Sequence, residues 1–171
     1  MSTYHHGDLR GALLRAASKL MKKKGISGLS LRETARRAGV SHNAPYRHFP
    51  DRESLLAALA EQGFTELRAR LQGLSSRAKA QAYVAFALEN PQRFRLMSRS
   101  GAAAARAYEE LVHALSEQAD AQQARVVAAA AWSLAHGLAH LILDGHFDRN
   151  DGFVNDVLRS TRFILGAQRA S

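Results

Sequence analysis

Trp132, His136, His140 and Asp144 recur at intervals of four, so they share one stripe wherever the segment is helical. A His-x-x-x-His pair on a helix can hold a divalent metal, and Asp144 can extend the set. The pair alone supplies two ligands, however, and lacks the Glu at the second position that marks the hydrolytic zinc helix. Histidines at this spacing more often pack or line a pocket. Eight histidines and fifteen carboxylates form no Ser/His/Asp order, phosphate-cradling glycine loop or zincin motif. Cysteine is absent, which removes disulfides, thiolate metal sites and a cysteine nucleophile. The expectation is a protein that is not an enzyme and has no cofactor, with metal binding at His136 and His140 kept as a rival reading.

The net charge of +9 on 171 residues is informative because of where it lies. Residues 1–52 hold eleven Lys/Arg against Asp8, Glu33 and Asp51, and the remainder holds thirteen against twelve acids. A basic head on a near-neutral body suits a polyanion, since each phosphate neutralised releases condensed counterions. A solvated basic surface or an anionic membrane face fits the charge equally. The length suits one compact unit with two functional zones. No signal peptide is evident, and no stretch is expected to approach the ~20 apolar residues of a bilayer span. A reducing cytoplasm without membrane contact is the expected setting.

The elements that must carry these residues read as an all-α chain of about nine helices, because prolines are few and apolar residues recur every three or four positions. Leu9, Ala12, Leu13, Ala16, Ala17 and Leu20 make one face of a first helix that Gly25 stops after Lys22-Lys23-Lys24. Ser30 and Glu33 have capping-box spacing and open a second helix, about Leu31 to Ala38. Gly39 suits a left-handed turn, and a short third helix, about His42 to His48, takes Ser41 or His42 as its cap, the latter sparing Pro45 a lost bond. A long fourth helix, 53–71, would link head to body. Further helices are expected over Ala78 to Glu89, Pro91 to Ser98, around Tyr108 to Leu115, over Ala124 to Leu143, and from Phe153 to Gly166. The expected domains are a helix-turn-helix DNA-binding head, 1–52, and a helical effector-binding and dimerisation body, 72–171.

Two short helices joined by a glycine turn and covered by a third make either a groove-reading trio or an ordinary helical corner. Leu29-Ser30-Leu31-Arg32-Glu33-Thr34-Ala35-Arg36-Arg37-Ala38-Gly39-Val40-Ser41, then Ala44-Pro45-Tyr46-Arg47-His48-Phe49 and Asp51-Arg52-Glu53-Ser54-Leu55-Leu56, resemble the DNA-binding signature of the TetR family over residues 8–60. The resemblance implies a homodimer with one helix-turn-helix per subunit, a palindromic operator in double-stranded DNA, and release by a small-molecule effector. By position it places Ser41, His42, Asn43, Ala44 and Arg47 where the family reads bases. It places Ser30, Arg32, Tyr46 and His48 where the family grips the backbone, with Arg32 also able to reach a base. Side-chain chemistry agrees, since Asn43 can pair with adenine, Arg47 with guanine, and Ala44 can meet a thymine methyl. Arg52 is a further phosphate candidate. Phe49, Leu31, Ala35 and Val40 read as head core, and Pro45 departs from the plain apolar residue many members carry.

In the body, Ala131-Trp132-Ser133-Leu134-Ala135-His136-Gly137-Leu138, with Ala82 to Pro91 and Phe94-x-Leu-Met97, resembles the family's Trp-His-Gly subgroup over a shorter stretch. Small residues such as Ala131 and Gly137 permit close helix approach, and Phe153, Val157 and Ile164 add an apolar face. Together they form either a four-helix dimer seam or intrachain core. Gly137 is expected against another helix and Ile164 on the two-fold seam. Tyr83, Phe86, Phe94, Met97, Tyr108, Trp132 and His136 are candidates to line an effector pocket, or plain core. The expected function is a repressor released from a palindromic operator by an unidentified small molecule. A metal-sensing regulator using His136 and His140, and a regulator without an effector, are the alternatives.

Overall fold

The computed structural model describes residues 8–99 and 121–166; for Ser76, Ala121, Gln123, Ala124 and 161–166 it describes the backbone alone. These residues form α1 (Leu9–Lys24), α2 (Leu31–Ala38), a 3-10 turn (Ala44–Arg47), α3 (Arg52–Leu71), α4 (Ser76–Glu89), α5 (Pro91–Arg99), α6 (Ala121–Leu143) and α7 (Asp151–Gly166). The chain is all-α over the described residues, with seven α-helices and one 3-10 turn where about nine helices were expected. The helix expected around Tyr108 to Leu115 lies outside the described residues.

Local chemistry sets the ends of these helices. Asp8 caps α1 by accepting from the Gly11 amide at 2.9 Å, and Ser30 caps α2 by accepting from the Glu33 amide at 3.2 Å, each worth about 1 kcal/mol. Only half of the expected capping box forms, because the Glu33 carboxylate is taken by Arg36 and Lys24. Gly39 ends α2 in the left-handed conformation, φ 71°. Its amide and that of Val40 reach back to Arg36 O and Ala35 O, satisfying the last carbonyls of the helix.

The third helix is a 3-10 turn, shorter than the expected span of His42 to His48. Pro45 has no amide to give an α-helical ladder, so the bonds step by three: Ala44 N to Ser41 O at 3.0 Å, Tyr46 N to Asn43 O at 3.3 Å, and His48 N to Pro45 O at 2.9 Å. The cap residue is Asn43, in place of Ser41 or His42.

Packing divides the chain into two compact units. The first holds the chain to Thr65 and the segment that begins at Gln92; the second holds Glu66–Pro91 together with α6 and α7. In the first, Leu13, Leu14, Leu20 and Met21 of α1 are buried with Leu31 and Ala35 of α2, Phe49, and Leu55 and Leu59 of α3. Buried Thr34 is satisfied there by donating to Ser30 O at 2.7 Å. α5 belongs to this unit, although its sequence position lies in the expected body. The Met97 sulfur sits 2.5 Å from where a Cβ on Gly63 would be, so a side chain there would force Met97 and Arg93 of α5 to shift. In the second unit, Val84 and Leu88 of α4 pack with Ala135, Leu138 and Ile142 of α6 and with Val154 and Leu158 of α7.

One expectation from composition fails. Arg125–Leu143 in α6 is long and apolar enough, by length and composition, to cross a membrane. Its alanines raise the apolar content, while Trp132, His136 and His140 break the run. The Ala128, Ala135, Ala139 and Ile142 stripe is buried, which suits a helix packed on other helices.

Candidate nucleic-acid interface

Pro45 is buried and Phe49 is 2% exposed, so the Ala44–Arg47 turn is anchored by an apolar underside. The helical geometry therefore turns the intervening polar side chains away from the core. Ser41, His42, Asn43, Tyr46, Arg47 and His48 are exposed, and Ala44 is half-buried. Tyr46, a large aromatic, is 47% exposed; burial would ordinarily be favoured for such a ring unless its outer face has a use. Asn43 makes no capping bond with its side chain, so its amide is not spent on the turn. Six of the ten sequence candidates are thus exposed on or beside this turn, with Ala44 half-buried between them.

Ser30 and Arg32 sit exposed at the start of α2. The Ser30 oxygen accepts from Glu33 N and keeps its own proton to donate. Close by, Glu33 accepts from Arg36 Nε at 2.8 Å and Nη2 at 2.7 Å, with Lys24 Nζ at 3.5 Å. The Arg36 guanidinium is the chief reason the Glu33 carboxyl is pulled down to about 2. His48 is exposed, and its ring lies 6.5 Å from that of Phe49.

Arg52 requires a correction. Its guanidinium donates to Leu29 O at 2.9 Å and Ile26 O at 2.8 Å, and pairs with Glu53 at 2.9 Å. It ties the start of α3 to the loop between α1 and α2, and a phosphate contact is no longer its best assignment. A planar fork matches two carbonyls and a carboxylate in a way that no spacing in the sequence reveals.

Arg10 was not among the sequence candidates. This exposed residue in the first turn of α1 places its guanidinium carbon 5.5 Å from the centroid of the Phe49 ring. The available signal was its sign, since a cation in the first turn works against the helix dipole.

In the second unit α4 and α6 join through three side chains. Trp132 Nε1 can only donate and lies 3.1 Å from the Tyr83 hydroxyl, which in turn lies 2.8 Å from His136 Nδ1. The Tyr83 oxygen thus accepts from Trp132 and shares a hydrogen bond with His136 Nδ1, the phenol donating where the neutral imidazole carries its proton on Nε2. Burial, helped by the neighbouring His140, holds the His136 pKa below its ordinary value, while burial pushes the Tyr83 phenol up to about 12. His136 and His140 meet edge to face, 4.6 Å between ring centroids. Among the described residues no three His, Cys, Asp or Glu side chains gather as a metal site.

The remaining pocket candidates separate. Phe86 is fully buried in the second unit under the Arg70 guanidinium, 5.8 Å away. Phe94 and Met97 are buried in the first unit as the apolar face of α5, so a single pocket drawing on all seven residues is not the arrangement found within either unit. Tyr108 lies outside the described residues.

Of the candidate dimer residues, Ala131 is exposed and Phe153 is 38% exposed, its ring 5.2 Å from that of Phe147. Val157 is half-buried against the α4–α6–α7 core. A Cβ on Gly137 would meet nothing within 4 Å, so no described helix of this chain presses on it. The Ile164 side chain lies outside those described.

Two family models match the chain, one described as bacterial regulatory proteins, tetR family, over residues 13–59, the other as tetracyclin repressor-like, C-terminal domain, over residues 76–165. Among solved structures, a protein with unknown function from Rhodococcus sp. RHA1 is 35% identical, with 96% of each chain covered and a TM-score of 0.75. A single-substitution variant of TetR from Acinetobacter baumannii AYE, in complex with minocycline, is 22% identical over 95% of this chain and 98% of that one, TM-score 0.68. The multidrug binding protein EbrR, complexed with imidazole, is 24% identical over 93% and 92%, TM-score 0.67. The last two are likenesses of fold.

Proposed function

The chain belongs to the TetR family of DNA-binding transcriptional regulators, and from that premise we propose that it is a homodimeric repressor that leaves a palindromic operator when a small molecule binds its body. The observation that carries this reading is the outward surface of the Ala44–Arg47 turn. Asn43, Ala44 and Arg47 supply groups for adenine, a thymine methyl and guanine, while Ser30, Arg32, Tyr46 and His48 supply phosphate donors around them. Ser41 and His42 complete the base-reading edge.

The second unit supports the other two parts of the proposal. Val126, Ala130, Gly137 and Leu141 follow helical spacing on α6, opposite its buried stripe, and Val126 and Leu141 are 61% and 41% exposed. A second copy of α6 and α7 would cover this apolar face and the exposed Phe153 of α7, with Ile164 at the end of α7 extending it, whereas Ala131 and Val157 lie off this face. Tyr83, Trp132 and His136 form a polar cluster with aromatic walls, of the type that orients a small organic ligand. α3 contributes to both units, and an effector that binds one placement of this helix better than another shifts the operator equilibrium by that difference in affinity.

Genomic selection with the purified protein, followed by affinity measurements on the recovered duplex over a range of salt, tests the proposal. The expected result is a steep fall of affinity with salt and a large preference over shuffled DNA. A slope near zero, or equal affinity for the shuffled duplex, would remove the case for an operator binder.

A further inference from the structure

We propose that Arg10 is an additional DNA-backbone contact of this head, a phosphate anchor held in place by the face of Phe49. The proposal rests on the operator reading above and adds to it a residue from a helix that supplied none of the sequence candidates.

Three observations converge on Arg10. First, its guanidinium lies over the Phe49 ring, 5.5 Å from carbon to centroid. Phe49 is 2% exposed and its amide is bonded to Pro45 O at 2.9 Å, so the ring is fixed to the turn that carries Tyr46 and Arg47. A cation held over such a ring by cation–π attraction is kept beside the exposed face of that turn, and a guanidinium has more N–H donors than one ring face engages.

Second, Arg10 is exposed and its nearest acidic residue in sequence is already engaged. Asp8 accepts from the Gly11 amide at 2.9 Å and from Arg15 Nη1 at 3.0 Å. Those bonds hold the Asp8 carboxyl below its usual range, with the Arg15 bond the largest cause. Asp8 therefore caps α1 and neutralises Arg15, and the Arg10 charge remains on the surface next to Phe49.

Third, helix stability gives no reason for a cation here. A positive charge in the first turn opposes the α1 dipole, whereas Lys22, Lys23 and Lys24 sit in the last turn where the dipole favours them. A phosphate beside the turn supplies the compensating negative charge.

The test measures affinity against salt for the parent chain and for Arg10→Ala, Arg10→Lys and Lys23→Ala. Two probes are used: a palindromic duplex recovered by selection and a random-sequence duplex of the same length. Lys23→Ala removes the same charge about 20 Å further along α1 and serves as the control. Loss of one phosphate contact per protomer lowers the salt slope by about 1, hence by about 2 for a dimer, on both duplexes alike. That slope would not move if Arg10 served packing alone. Arg10→Lys, which keeps the charge, is expected to recover most of it, with thermal unfolding close to that of the parent in every variant.

An Arg10→Ala slope equal to the parent's, or no larger a loss than Lys23→Ala gives, overturns the anchor. A change of base preference without a change of slope overturns it as well, since a phosphate contact carries no sequence information. A parent chain with no salt-dependent duplex binding removes the operator reading itself, and the role of Arg10 with it.

Discussion

Arg47 and Tyr46 are adjacent and both exposed on the Ala44–Arg47 turn, yet their chemistry assigns them different tasks. A guanidinium matches the two acceptors of guanine and discriminates against other bases, whereas a phenol reaching a phosphate treats all sequences alike. Arg47→Ala is therefore expected to cost roughly 1–3 kcal/mol at the preferred base pair and to relax selection there. Tyr46→Phe is expected to weaken selected and shuffled duplexes equally. Competition binding on duplexes substituted one position at a time distinguishes the two, and uniform losses from both variants would show that this partition is wrong. Both residues could be named from sequence because their neighbours form a dense local pattern. Arg52 could not, because its partners Ile26 and Leu29 lie more than twenty residues away in the chain, and only folding brings those carbonyls to the guanidinium.

At the scale of elements, α1 stops and α2 starts and stops where the sequence indicated, since Gly25, Ser30 and Gly39 act within a few residues of themselves; the Asp8 cap of α1 is added by the structure. The turn over Ala44–Arg47 is harder to read, because one missing amide at Pro45 changes both the bond step and the cap. The pairing of α4 with α6 through Tyr83, Trp132 and His136 depends on side chains about fifty positions apart; the sequence offered these three among seven pocket candidates, without the hydrogen bonds that join them. Burial of the Tyr83 phenol in this cluster leads to a measurable titration. The folded chain holds the Tyr83 proton more tightly, at about 12 against an ordinary 10.0. Its contribution to stability is therefore full below pH 10 and lost as the pH rises towards 12. Phenolate absorbance should show a late-ionising step that Tyr83→Phe deletes. A parent titration that Tyr83→Phe leaves without any loss at high pH would mean that water reaches the α4–α6 cluster.

For the molecule as a whole, selectivity calls for two heads, since one short reading turn spans few base pairs. Two heads joined about 34–36 Å apart, one turn of DNA, gain both affinity and spacing discrimination. Gly137 offers a test because a Cβ there meets nothing among the described residues, and its φ is not positive. Gly137→Leu should leave the single-chain fold intact and favour helix by about 1 kcal/mol. If α6 is the seam, the added side chain keeps the helices apart. Sedimentation should then show monomers, and operator affinity should fall to the level of shuffled DNA while helical content is retained. A variant that stays dimeric with full operator affinity would show that this face of α6 is not the interface.

The sequence by itself determined what depends on neighbours in the chain: the all-helical character, the stop of α1 at Gly25, the ends of α2 at Ser30 and Gly39, and the family signature across Leu29 to Leu56. It also determined the basic head, because charge adds up regardless of fold. The tertiary structure decided whatever required distant residues to meet. It moved Arg52 from a phosphate to the carbonyls of the α1–α2 loop, and it set Arg10 on Phe49. It put Phe94 and Met97 in the first unit and Tyr83 with Trp132 and His136 in the second. Apolar periodicity shows that a helix has a buried face, but the same periodicity serves any partner, so the choice among partners rests on shape complementarity that appears only once the helices are packed.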